Sequence, residues 1–213
     1  MTYQIMIDAM GINAVGIPVS TPVVAGYVTG SGDVPWTQQD WDRFPGGHVR
    51  IDQSPGLVSW TAGDADVADM EQQAGTQHQV IAGALARKAR GWMSWVYVSR
   101  GALAALRGAV LAAQLTGHVQ YWVADWSLDE AQAAAQLTGD VVAIQWASPS
   151  SDPHTVVPGG TQTLSQAGAD LSVTVPGWFA KQVPAREGVL IAAQGPQQVI
   201  RVTSADGKTW LAA

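Results

Sequence analysis

The chain has 213 residues, 47% of them hydrophobic and 13% charged, with 23 Gly, 11 Pro and 10 Trp. That is a globular composition long enough to bury its own core, and the absence of cysteine excludes a disulfide scaffold, a thiolate metal site and a cysteine nucleophile. With 17 acidic against 11 basic residues the net charge is -6, which opposes a phosphate backbone or an anionic bilayer, so neither nucleic acid nor a membrane is an expected partner.

The N-terminal MTYQIMIDAMG lacks a basic region, an apolar run and a small-residue cleavage site in series, so no secretory signal is expected. No stretch reaches the ~18 uninterrupted apolar residues of a membrane span. Eight short apolar runs follow one another instead, at residues 3–8 (YQIMID), 23–28 (VVAGYV), 48–52 (HVRID), 65–71 (ADVADME), 94–99 (SWVYVS), 119–125 (VQYWVAD), 141–146 (VVAIQW) and 170–175 (DLSVTV). Near-continuous apolar character in runs this short marks strands of a parallel sheet buried on both faces.

Helical period lies between several of them. Residues 37–44 are the one helical segment of the first half. In the second half, residues 76–90 place Val80, Ile81, Ala84, Leu85 and Ala89 on one side and end in Arg87, Lys88 and Arg90, where cations complement the helix dipole. A second helix runs over 100–115, with Ser99 as its cap and Gly117 beyond its end. A third opens at Ser127, whose spacing to Glu130 makes a capping box, and stops at Gly139.

Strand and helix in alternation predict an α/β protein, and eight strands predict a (β/α)8 TIM-like barrel. Residues 1–176 are few for that fold, which usually takes at least ~200, so a small or incomplete barrel is expected, with Gly/Pro-rich loops replacing outer helices between the first four strands. An open doubly wound sheet is the alternative, but no glycine-rich phosphate fingerprint follows any run. Residues 177–213 form a short C-terminal β extension, with strands expected at 188–193, 199–203 and 209–211 separated by Gly-Pro and Asp-Gly turns.

Acidic residues gather at the ends of the runs: Asp8, Asp52, Asp69 with Glu71, Asp125 and Asp170. In a barrel these ends converge. Asp69 and Glu71, two apart on one strand, would point the same way with alpha carbons roughly 6–7 Å apart. Neighbouring carboxylates push their pKa values apart, so one holds a proton while the other stays charged, the division of labour used in glycoside cleavage. The three glutamates are Glu71, Glu130 and Glu187. Glu130 belongs to the capping box and Glu187 to an Arg-Glu-Gly turn, which leaves Glu71 as the proton-donor candidate. The alternative is that Asp66, Asp69 and Glu71 form a solvated strand end.

Trp36, Trp60, Trp122, Trp126 and Trp146 fall at strand ends or in adjoining loops, where indole faces can stack on sugar rings; core filling is their ordinary role. His48, His78, His118 and His154 show no metal-ligand spacing, so no metal or cofactor is implied. No Gly-x-Ser-x-Gly elbow supports a serine hydrolase.

Taken in order, Asp8 in IMIDAMG, Asp69-Met70-Glu71 in ADVADMEQQAG, Trp122-Val123-Ala124 in QYWVADW, Gln145-Trp146 in AIQWASP and Asp170-Leu171-Ser172 resemble signatures of the family 25 glycoside hydrolases, lysozyme-like muramidases with a flattened, incomplete (β/α) barrel. The resemblance covers residues 3–176. An aromatic-His-aromatic element usual at the family's third strand is replaced by Val49-Arg50-Ile51-Asp52-Gln53, and the segment from Asp8 to Asp52 is more similar to divergent glycoside-hydrolase-like domains of actinobacteria and actinophages. What the resemblance implies is a site facing peptidoglycan or another cell-surface polysaccharide. Glu71 would be the proton donor, with Asp69, Asp8 and Asp170 around the scissile sugar. Asp52, Trp122, Asp125, Trp126, Gln145 and Trp146 would bind substrate. A phage virion protein of tail type is expected, in the virion or in the host cytoplasm before lysis, with the C-terminal extension suited to docking on other virion proteins by strand addition. The alternative is a catalytically inert structural or adhesion protein that uses the barrel as a scaffold.

Overall fold

The computed structural model describes residues 2–29, 34–70, 75–179, 200–203 and 209–212. Two compact units divide the chain, Met1–Lys181 and Gln182–Ala213.

In the first unit, strands β1 (Gln4–Ala9), β2 (Val23–Thr29), β3 (Gly47–Asp52), β4 (Val67–Asp69), β5 (Ser94–Ser99), β6 (Val119–Ala124), β7 (Val141–Ala147) and β8 (Ala169–Thr174) close into a barrel in sequence order. Neighbours from β1 to β7 are parallel, and β8 runs antiparallel to both β7 and β1. An all-parallel barrel is therefore corrected to a mixed one, and the strands rather than the helices dominate it.

Side-chain alternation divides the apolar runs between two faces. Trp95 and Tyr97 of β5 pack with Met6, Val49, Ile51, Val67 and Trp122 inside the barrel. Val96 and Val98 of the same strand pack outward with Val80, Ala84, Leu103 and Leu106. Those partners come from α3 (Gln77–Ala89) and α4 (Arg100–Ala112), the two full-length helices. Because both faces are covered, the runs read as continuously apolar.

Over the first strands the outer layer is thin: a 3-10 turn (Gly11–Gly16), α1 (Gln38–Asp42) and α2 (Val58–Ala62). An aromatic panel takes the place of a helix beside β2. Trp36 stacks at 4.5 Å from Trp41 and 5.5 Å from Phe44, and its indole N–H donates to the Ala9 carbonyl at 2.7 Å. Gly26 permits this, since a Cβ there would lie 2.4 Å from the Trp36 ring. Beyond β8, Trp178 meets Trp95 edge-on at 4.8 Å and closes the barrel at the end opposite the β1–β7 C-termini.

Caps follow the expected chemistry with two corrections. Thr37 and Thr76 form capping boxes with Asp40 and Gln79. Ser99 stands at the N-cap of α4 without a side-chain cap bond. Helix α5 (Glu130–Ala135) is capped by Asp129 with Gln132 rather than by Ser127 with Glu130, because Ser127 bonds to Asp125 and Glu130 accepts from the Tyr3 hydroxyl at 2.6 Å. Arg87 is also not a solvated dipole partner. It is buried against Trp60 and Trp92 and donates to the carbonyls of Trp60 and Met93. A short helix, α6 (Leu164–Ala167), leads into β8.

The second unit contains an antiparallel pair, β9 (Ile200–Thr203) and β10 (Thr209–Ala212). The strand expected at 188–193 lies outside the described residues.

Candidate functional site at the barrel mouth

The C-terminal ends of β1 to β7 meet at one mouth, and the direction of β8 decides what joins them. Running antiparallel, β8 brings its first residues to that end, and Asp170 falls directly opposite Asp8 in the β1–β8 register. In a parallel strand Asp170 would have begun at the far end of the barrel. Asp8 from β1, Asp69 from β4 and Asp170 from β8 thus share the mouth, the first two only 3% and 1% exposed.

Inward-facing polar groups hold these carboxylates. The Tyr97 hydroxyl donates to Gln145 Oε1 at 2.6 Å, which turns the Gln145 amide so that Nε2 donates to Asp8 Oδ2 at 3.4 Å. Gln53 Nε2 donates to Asp69 Oδ2 at 3.2 Å. Tyr97 packs edge-on against Trp122 at 4.9 Å, and the Trp122 indole N–H donates to Ser172 Oγ at 3.0 Å.

Burial pushes the Asp8 carboxyl well above the ordinary carboxylate range; the negative charge of Asp170 adds to the rise, Asp69 adds less, and the Gln145 hydrogen bond opposes it. A side-chain hydrogen bond with Asp170 adds to the rise. Two negative charges are therefore disfavoured on the facing Asp8–Asp170 pair.

This arrangement ties stability to pH. Below the ordinary carboxyl range, about 3.9, folded and unfolded Asp8 both carry the proton and its raised folded-state value has no effect. As pH rises past that value the unfolded chain ionises while folded Asp8 keeps its proton, so stability is lost until the folded-state pKa is passed. Asp8→Asn, which mimics the protonated acid, is expected to melt at a higher temperature than the native protein at neutral pH, with the difference shrinking towards about pH 4. A neutral-pH melting temperature equal to or below the native value would contradict a raised Asp8 carboxyl.

The remaining sequence-derived candidates separate. Gln145 is inside the mouth. Trp122 is buried beside it with its N–H engaged, so it builds the wall and offers no stacking face. Trp146 is the extra residue of a bulge against β8 and packs outward on the barrel's outer clusters. Trp36 and Trp60 are core residues. Trp126, in the loop after β6, is 48% exposed. Asp125 stands just before it and accepts from Ser127 Oγ at 2.6 Å. Asp52 is corrected from a ligand-facing group to a structural one: it is 0% exposed and its carboxylate accepts from Thr29 Oγ1, Ser54 N, Ser54 Oγ and Trp60 N at 2.6–2.8 Å. Strand β4 ends at Asp69, and Glu71 lies outside the described residues, as does its expected alignment with Asp69.

Tyr97 and Gln53 were not singled out by the sequence reading. Both signals were available: Tyr97 alternates with the inward Trp95, and Gln53 directly follows the end of β3.

Among the described residues no group of three or more His, Asp or Glu is placed to hold a metal ion, and no helix is long and apolar enough to cross a membrane. Comparison with models of known protein families, with curated proteins and with solved structures finds no match to this chain.

Proposed function

We propose that this chain is a glycoside-hydrolase-like barrel, a small (β/α)8 TIM-type fold of family 25 character, whose mouth engages the glycan strands of peptidoglycan, and that it serves as a tail-type protein of a phage virion. The observation that carries the glycan reading is the convergence of Asp8, Asp69 and Asp170 from three strands on one mouth, with Asp8 directly opposite Asp170 and its carboxyl raised by burial and by that neighbour. Unequal protonation of close carboxyls is what glycosidic chemistry requires. In this reading Glu71, two residues beyond Asp69, protonates the glycosidic oxygen as its bond to the anomeric carbon breaks. Asp69 and Asp170 stabilise the positive charge that develops on the sugar, and water then adds to that carbon and gives up a proton to a carboxylate. The virion setting rests on the resemblance of residues 8–52 to divergent glycoside-hydrolase-like domains of actinobacteria and actinophages.

A second reading, glycan binding without cleavage, is favoured by the burial of Asp8 and Asp69, which leaves little of either carboxylate open to a sugar. Both readings require retention on the wall. The native protein is expected to co-sediment with insoluble peptidoglycan, and Trp126→Ala to weaken that retention roughly tenfold, the scale of removing one exposed aromatic anchor. A native protein left wholly in the supernatant, with walls of several compositions tried, would reject the glycan assignment.

A further inference from the structure

The mouth is acidic, yet one cation stands on it. Of the lysines and arginines in the described residues of the first unit, Arg43 follows α1, Arg50 faces outward from the middle of β3, Arg87, Lys88 and Arg90 close α3, and Arg107 pairs with Asp140 ahead of β7; Arg201 belongs to β9 of the second unit. Arg100 alone directly follows the C-terminal end of a barrel strand, β5.

It makes an ion pair that is open to solvent. Arg100 Nε lies 3.4 Å from Asp125 Oδ2, while its side chain is 52% exposed and that of Asp125 only 9%. Asp125 is itself fixed from the other side by the Ser127 hydroxyl at 2.6 Å and the Ser127 amide at 3.3 Å. The contact is made at Nε, and about half of the side chain is open to solvent. An ion pair this open to solvent contributes little to stability, so fold maintenance does not account for it. The residue after Asp125 is the half-exposed Trp126.

We propose that Arg100 and Trp126, on the rim where β5 and β6 end, form a subsite for a carboxylate-bearing sugar, the guanidinium pairing with the carboxylate and the indole lying against the ring. A guanidinium presents a planar fork to a carboxylate, and the ion pair with Asp125 keeps Arg100 on the rim. On an otherwise acidic mouth a single arginine discriminates: neutral glycans gain nothing from it, and anionic ones are repelled everywhere else. In peptidoglycan the matching group is the lactyl carboxylate of the muramic sugar. The inference rests on the glycan reading of the mouth and adds its specificity.

The test uses a peptide-free oligosaccharide of alternating N-acetylglucosamine and N-acetylmuramic acid and its methyl ester, titrated calorimetrically in a Glu71→Gln background that keeps the glycan intact. The Arg100 protein is expected to bind the acid more tightly than the ester. Arg100→Gln should weaken binding of the acid about tenfold and that of the ester less than about twofold, with Arg100→Lys intermediate, since it keeps the charge without the fork. Unchanged melting temperatures show that the variants fold. Equal affinity for acid and ester in the Arg100 protein, or equal weakening of both in Arg100→Gln, overturns the carboxylate subsite and leaves the glycan reading standing. Binding of neither form overturns both.

Discussion

Asp52→Asn is expected to destabilise the barrel by about 2–4 kcal/mol, lowering the melting temperature by on the order of 10 °C for a domain of this size. The carboxylate is wholly buried and engages two backbone amides on opposite oxygens, Ser54 N–H on Oδ1 and Trp60 N–H on Oδ2. An asparagine amide has one acceptor oxygen. Whichever way it is turned, one of those N–H groups meets another donor, and a buried donor without an acceptor loses its full solvation. The Thr29 and Ser54 hydroxyls can rotate to compensate and the amides cannot. Trp60, nucleated here at the start of α2, also stacks on buried Arg87, so the defect spreads to the packing of α3. Gln53, the next residue, holds Asp69, which ties this loop to the mouth. Thermal unfolding followed by circular dichroism measures the change; a loss below about 0.5 kcal/mol, the ordinary scale for surface changes, would contradict the structural role given to Asp52.

The strands were legible because a barrel buries both faces of each one, and the resulting apolar runs mark themselves off from polar loops. Seven of the eight also have the predicted direction. That of β8 was hidden, since DLSVT alternates identically read either way and a connection of the length between β7 and β8 permits a crossover or a return. Its consequence is large, because direction alone decides whether Asp170 faces Asp8. The cap of α5 was misread for a different reason. Ser127-x-x-Glu130 and Asp129-x-x-Gln132 both satisfy the capping pattern, and the choice was made by distant partners, Asp125 for Ser127 and Tyr3 for Glu130. Asp52 and Asp69 look alike in sequence, each closing an apolar run. What separates them is the following loop, which turns back to cover Asp52 with Ser54 and Trp60. Tryptophan positions were the least informative, since the same residue type builds the panel beside β2, the wall of the mouth and the exposed rim.

Under the proposed glycosidase reading, Glu71→Gln is the substitution with the largest expected effect on activity. A positioned general acid contributes typically 10²–10⁴-fold, so release of glycan fragments should fall by about that factor. Glutamine keeps the size of the side chain and removes only the transferable proton, so retention on the wall should stay within about twofold of native. The pH–rate profile of the native protein should carry an acidic-side and a basic-side limb, the latter lost in Glu71→Gln.

Mass spectrometry of soluble fragments released from purified actinobacterial cell walls tests the proposed cleavage of glycan strands at this mouth most directly. The account predicts muropeptides with new reducing-end sugars from the native protein and none above background from Glu71→Gln. Wall-bound, folded native protein that releases no reducing ends from any wall composition would contradict cleavage and leave the barrel as an adhesion module.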